Sequence, residues 1–185
     1  WEEIERLNSR NIGIFIFKGI ECDIRVDGTL DYDDNLLDGF DFVIASVHSR
    51  FKMERGEMTD RIIRAISHPR ISMLGHPTGR LLLARDPYAA DVERIIEACA
   101  DYGAVLELNA DPHRFDLDWR WHRFASSRGI KISINPDAHS IGGLSSIYYG
   151  VNIARKGWLR REDALNAMPL EKIRETIIRK KTQRA

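Results

Sequence analysis

Short apolar runs alternate along this chain with longer stretches in which apolar positions recur every three or four residues. Ile12 to Phe17 reads as a strand entering the fold, and Ile20 to Ile24 continues it or pairs with it after Lys18-Gly19. Asp27-Gly28 marks a turn. Asp41 to Val47 is almost continuously apolar, as in a strand covered on both faces. Thr59 is the expected N-cap of a helix that turns Ile62, Ile63 and Ile66 inward and stops at Pro69. Ile71 to Leu74 is the next strand. Asp91 to Tyr102 carries the clearest helical period: Val92, Ile95, Ile96 and Cys99 fall on one stripe, and Gly103 closes it. Then come a strand from Ala104 to Leu108, a helix from Trp119 to Arg128 ended by Gly129, and a strand from Lys131 to Ile134. The tail reads as helical over Ile147 to Lys156, Arg161 to Ala167 and Leu170 to Lys180. Strands alternating with helices predict an α/β fold with a parallel sheet or barrel. No repeat, low-complexity linker or internal boundary divides the chain, so residues 1–185 are expected to form a single domain.

Composition narrows the function classes. Lys+Arg and Asp+Glu are both 28, which argues against a clamp that holds nucleic acid by bulk charge. It leaves a nuclease open, because bound cations supply local positive charge. Cys22 and Cys99 form no Cys-x-x-Cys pair and read as reduced, partly buried thiols of a cytoplasmic protein. No apolar run approaches the length of a membrane span, so no membrane partner is expected; the oligomeric state is open. The start at Trp1 is neither a signal peptide nor an initiator and suggests a fragment or a processed chain.

The candidate chemistry sits where apolar runs stop. Glu21, His48, His76, Asp137 and His139 all occupy such positions, with 27 and 28 residues separating the first three, about one strand–helix unit each. Side chains at the C-terminal ends of successive parallel strands converge on one pocket. Imidazole and carboxylate together suit zinc or manganese. Each residue also has an ordinary reading: a solvated acid for Glu21, hydrogen-bonded rim residues for His48 and His76, an Asp-capped turn for Asp137-Ala138-His139. Gly75 and Gly79 would let the backbone approach a bound group. Arg80 and Arg114 are candidate phosphate contacts, since guanidinium forks match phosphate oxygens, with surface salt bridging as the alternative. His68 reads as a helix-end cap, and His113, His122, Trp119 and Trp121 as surface or packing residues. No phosphate-cradling Walker loop or nucleophile elbow is present.

Several strings resemble the PHP (polymerase and histidinol phosphatase) family, in particular the C-terminal PHP domain of bacterial and archaeal family-X DNA polymerases. They are Gly19-Ile20-Glu21-Cys22-Asp23-Ile24, Asp27-Gly28-Thr29-Leu30-Asp31-Tyr32, Ala45-Ser46-Val47-His48-Ser49 and Gly75-His76-Pro77-Thr78-Gly79-Arg80. Leu106-Glu107-Leu108-Asn109-Ala110, Arg114-Phe115-Asp116-Leu117, Asp137-Ala138-His139-Ser140 and Tyr149-Gly150-Val151 with Ala154 to Trp158 complete the set. The resemblance implies a distorted (β/α)7 TIM-like barrel with up to three divalent cations, Mn2+ or Zn2+. It implies that Glu21 bridges two ions, with His48 and His76 on the second, Asp137 on the first and His139 on the third. The implied activity is metal-dependent 3′–5′ exonuclease and 3′-end processing of DNA during repair. A PHP-type phosphatase of a small phosphomonoester such as histidinol phosphate, or a non-catalytic scaffold, are the alternatives. Family members begin with a His-x-His strand, and here no His precedes His48. The expectation is therefore a barrel incomplete at its N-terminus, from a longer polymerase. Alone, such a chain would hold metal weakly and show little activity.

Overall fold

The computed structural model describes residues 1–182 and contains five strands and seven α-helices among them. The strands are β1 (Gly19–Asp23), β2 (Phe42–Ser46), β3 (Met73–Leu74), β4 (Val105–Asn109) and β5 (Ile132–Asn135). All four neighbouring pairs are parallel, and the spatial order β1-β2-β3-β4-β5 is the order in sequence. Singly wound order of this kind is compatible with a TIM-like fold. The helices are α1 (Glu2–Ser9), α2 (Asp34–Leu37), α3 (Arg55–Ile66), α4 (Val92–Tyr102), α5 (His122–Ser127), α6 (Ile147–Lys156) and α7 (Leu170–Thr182).

Period-two alternation splits the sheet into two faces. Val43, Ala45, Leu74, Leu106 and Ile132 share the main core with Met58, Ile62 and Ile66 of α3 and Ile95, Ile96 and Cys99 of α4. The alternate residues Ile44, Met73 and Val105 point to the other face and pack with Leu165, Met168 and Ile173. The tail of the chain thus lies over the face opposite to α3 and α4.

Helix α4 forms as the pattern predicts. Asp91 caps it by accepting the Arg94 N–H, and Gly103 closes it at φ +66°. Helix α3 begins earlier than expected, after Glu54. Thr59 is not its N-cap but an interior residue, whose hydroxyl donates to the Arg55 carbonyl at 2.6 Å and accepts the Asp91 N–H at 2.8 Å. That hydroxyl joins α3 to the start of α4.

Ile12 to Phe17 is not a strand. The Asn8 side chain takes both the N–H and the carbonyl of Ile16, at 2.8 and 2.9 Å, and Asp41 takes the Lys18 N–H at 2.7 Å. Side chains satisfy backbone groups that a ladder would otherwise use, and Ile12 and Ile14 stay exposed. The preceding α1 and the short α2 are not foreseen. Trp119 to Arg128 begins as a 3-10 turn (Trp119–Trp121) before α5. Arg161 to Ala167 is likewise not one helix but two 3-10 turns, Arg161–Asp163 and Leu165–Ala167. Ala164 between them is extended and bridges to Ile132, and the Asn166 amide pairs with both backbone groups of Ile134 at 2.7 and 2.9 Å. This covers the outer edge of β5, which would otherwise present unpaired N–H and C=O groups. The sequence-expected end of α7, Lys180, lies within the helix. No helix among the described residues is long and apolar enough to cross a membrane.

Candidate metal centre

Three of the five candidate residues meet. The Nε2 atoms of His48 and His76 are 3.3 Å apart, and Glu21 Oε1 lies 3.5 Å from the first and 3.2 Å from the second. This is the one group of three or more His, Cys, Asp or Glu side chains among the described residues with donor atoms close enough to share an ion. The register explains the convergence. His48 stands two residues beyond β2 and His76 two beyond β3, both at the C-terminal ends of neighbouring parallel strands. Glu21 is not at a strand end, as the apolar run suggests, but in the middle of β1, opposite Ile44, on the face turned away from the Cys22 core.

The donor set fits a divalent cation. The His48 Nδ1 pairs with Asp23 Oδ1 at 2.5 Å. With the proton on Nδ1 and donated to that carboxylate, the Nε2 lone pair is directed at Glu21 and His76, the arrangement common to metal-binding histidines. His76 is buried, and its Nδ1 has no hydrogen-bond partner. Hydrogen bonds from His48 and then His76 hold the Glu21 carboxyl well below the usual carboxylate range, against the opposing effect of burial. The same bond to Glu21 pushes His48 up to about 9, helped by Asp23 and opposed by burial. Two imidazoles and a carboxylate packed this closely could hold a divalent cation in place of the shared protons.

Asp137 and His139 stand outside this triangle. Asp137 follows β5 by two residues, at φ +51°, and lines a cavity of about 400 Å³ together with Glu21, His76 and Glu107. Its Oδ2 accepts from Asn109 Nδ2 at 3.0 Å and lies 3.8 Å from Arg114 Nε. His139 projects outward, 87% exposed, with Nδ1 donating to the Asp137 carbonyl at 2.8 Å.

The two arginines differ. Arg80 donates to Asp118 Oδ2 at 2.6 Å and to the carbonyls of Arg114 and Phe115, so its hydrogen bonds run to protein groups. Arg114 is mostly buried, and its Nη1 has no hydrogen-bond partner. Both glycines are closely packed. A Cβ on Gly75 would lie 2.8 Å from Ile44 Cγ2 and closer still to Ser46 Oγ, and one on Gly79 would strike the Tyr88 ring. Thr78 donates its N–H and hydroxyl to Asp116, so the 75–80 loop is tied to the 114–118 segment at two places.

Sequence reasoning passed over Asp23, Glu107, Asn109 and Asn135. Glu107 is 5% exposed on a strand buried throughout, accepting the His76 N–H at 2.6 Å and Asn135 Nδ2 at 2.9 Å. Burial pushes its carboxyl up, and those hydrogen bonds oppose the rise. The signal was present: Leu106-Glu107-Leu108-Asn109 alternates in a run with no solvent-facing side. His68 pairs with Asp34 at 3.1 Å, His113 with Asp111, and His122 is buried against the Leu117 carbonyl.

No family model matches the chain. The DNA polymerase/3′-5′ exonuclease PolX of Bacillus subtilis (strain 168) is 40% identical over 172 residues, which is 93% of this chain and 30% of that protein. A probable phosphatase of Thermoanaerobacter sp. (strain X514) is 27% identical over 91% of this chain and 70% of its own length. A probable phosphatase of Caldanaerobacter subterraneus subsp. tengcongensis is 30% identical over 69% of this chain and 52% of its own. The chain thus spans under a third of the polymerase and more than half of each phosphatase. Motif order and these homologues agree: the chain belongs to the PHP family, with the family-X polymerase PolX among its relatives.

Proposed function

We propose that this chain is part of a metal-dependent phosphoesterase that trims DNA 3′ ends, as a 3′–5′ exonuclease does. The observation that carries the reading is the triangle of Glu21, His48 and His76, three donors within 3.5 Å of one another beside a cavity that Asp137 also lines. The name of the PolX relative supports the DNA substrate. Bound cations would supply an activated water and neutralise charge developing on the phosphate. In this reading Glu21, His48 and His76 hold one part of that cluster, and Asp137 and His139 hold further ions. Asp23 keeps the His48 proton on Nδ1. Arg114, with an unpartnered Nη1, meets a phosphate oxygen, while Arg80 holds the loop that carries His76. The domain belongs to a TIM-like (β/α)7 barrel, and Mn2+ or Zn2+ are the cations that suit its nitrogen and oxygen donors.

The test measures Mn2+-dependent release of 3′ nucleotides from single-stranded DNA, using the chain within any longer polypeptide that carries it. Glu21→Ala and His48→Ala are expected to abolish release; undiminished activity in both would reject the assignment. A second reading, a phosphatase of a small phosphomonoester, is favoured by the greater coverage of the phosphatase relatives. Turnover of a small phosphate ester without cleavage of DNA would select it.

A further inference from the structure

We infer that Glu107 and Asn109, two residues apart on the inward side of β4, are positioning residues that set His76 and Asp137 together. The functional consequence rests on the metal-centre reading above; the geometry does not.

On the inward side of the sheet the neighbouring strands present apolar groups, Ile44, Met73 and Val105, which pack against the tail. Strand β4 departs from that layer at Glu107 and then Asn109, both almost fully buried. Apolar side chains would fill this space; a carboxylate and an amide add directed hydrogen bonds. Strand β3 ends at Leu74, and Gly75 gives the last ladder bond, to the Ala45 carbonyl at 2.9 Å. The next N–H, that of His76, has left the ladder and is taken by Glu107 at 2.6 Å. His76 has φ +23°, a conformation that a side chain with a Cβ adopts only when its surroundings impose it. The Glu107 carboxylate supplies that constraint, and Nε2 then faces Glu21 and His48.

One step along the strand, Asn109 holds a side chain rather than a backbone group. Asp137 has φ +51°; Asn109 Nδ2 donates to its Oδ2 at 3.0 Å, and Arg114 Nε lies 3.8 Å from the same oxygen. Asn109 Oδ1 accepts the Asp111 N–H at 3.1 Å, which fixes the orientation of the amide. The longer contact of Asn109 Nδ2 to Glu107, 3.4 Å, joins the two. Asn135, at the end of β5, donates to Glu107 at 2.9 Å and completes the link. The His76 backbone and the Asp137 side chain, on loops from different strands, are therefore held through one pair of side chains on the strand between them.

The experiment compares the chain with Glu107→Ala, Glu107→Gln, Asn109→Ala and Glu21→Ala. The first readout needs no metal: the proton cross-peak between the His48 and His76 rings, whose centroids are 5.1 Å apart, in chelator-treated protein. The second is Co2+ affinity by calorimetry with the visible spectrum of the bound ion. Glu107→Ala is expected to stay folded by circular dichroism, lose the cross-peak and bind Co2+ about 10–100-fold more weakly. Glu107→Gln keeps one acceptor oxygen and is expected to restore the cross-peak. A folded Glu107→Ala with the cross-peak and spectrum unchanged overturns the inference, since a merely packing role would lower only thermal stability. Loss of the cross-peak in a chain that binds no Co2+, with or without Glu21, upholds the positioning role and rejects the ligand reading. Should Glu107→Ala fail to fold, Asn109→Ala decides. It is expected to move the Asp137 carboxyl carbon resonance, and an unmoved resonance overturns the proposal.

Discussion

Removing the guanidinium of Arg80 separates a structural role from a phosphate-binding one. In Arg80→Met the buried pair with Asp118 is lost; the two side chains are only 14% and 13% exposed, and their atoms are 2.6 Å apart. Breaking a buried pair costs about 3–5 kcal/mol when a charge is left unpaired. Here Asp118 keeps a second partner, the exposed Arg120, at 2.9 and 3.1 Å. Arg114 and Phe115, whose carbonyls Arg80 also holds, are half-buried residues in a loop that water reaches in part. These two compensations place the loss at or below the lower end, about 2–3 kcal/mol, or roughly 4–12 °C in melting temperature for a domain of this size. The acid limb gives an independent sign. Burial raises the Asp118 carboxyl, but bonds from Arg120 and Arg80 outweigh it and hold the group below its ordinary 3.8. A depressed carboxylate contributes stability above its unfolded value and loses it as the pH falls through the folded one. The gap between parent and variant should therefore be full at neutral pH and narrow below 3.8. Urea unfolding followed by tryptophan fluorescence, repeated across pH and on Arg80→Met/Asp118→Asn, measures both the loss and the coupling. A variant within about 0.5 kcal/mol of the parent at neutral pH, the range of ordinary surface substitutions, would refute the reasoning and return Arg80 to the phosphate.

Gly75→Ala should cost about 1–3 kcal/mol by overpacking, because the new methyl meets Ile44 and Ser46, and it should weaken divalent-cation binding by displacing His76; unchanged melting and affinity would contradict this. Cation affinity should rise with pH and level off above about 9, because His48 is raised to that value and only its deprotonated ring can ligate. Calorimetry in buffers of different ionisation heat should show proton release at neutral pH, and a pH-independent affinity would exclude His48 as a ligand. Cys22, buried and pushed up to about 12 chiefly by burial, should resist a thiol reagent until the chain is unfolded; fast native labelling would count against the β1 packing.

Much of this architecture is legible in the order of residues. Val92, Ile95, Ile96 and Cys99 announce α4, and Asp91 and Gly103 are the caps found. Elements whose residues satisfy their own periodicity and capping need little from the rest of the chain. Ile12 to Phe17 misled because its apolar composition suits a strand while the partners that would pair with it are side chains, Asn8 and Asp41, distant in the pattern. Thr59 misled because a hydroxyl that caps one helix and one that links two helices look alike in sequence.

The order of residues alone determined that strands and helices alternate and that His48, His76 and Asp137 fall just past strands, because side-chain period and turn chemistry are local properties. Only the tertiary structure decided which of these groups touch. Parallel register set Glu21 within 3.5 Å of both imidazoles and left His139 facing solvent. It also turned Arg80 toward Asp118 and put Glu107 under the His76 amide. Distances between side chains on different strands depend on pairing, twist and packing summed over the sheet, and no single stretch of sequence encodes them.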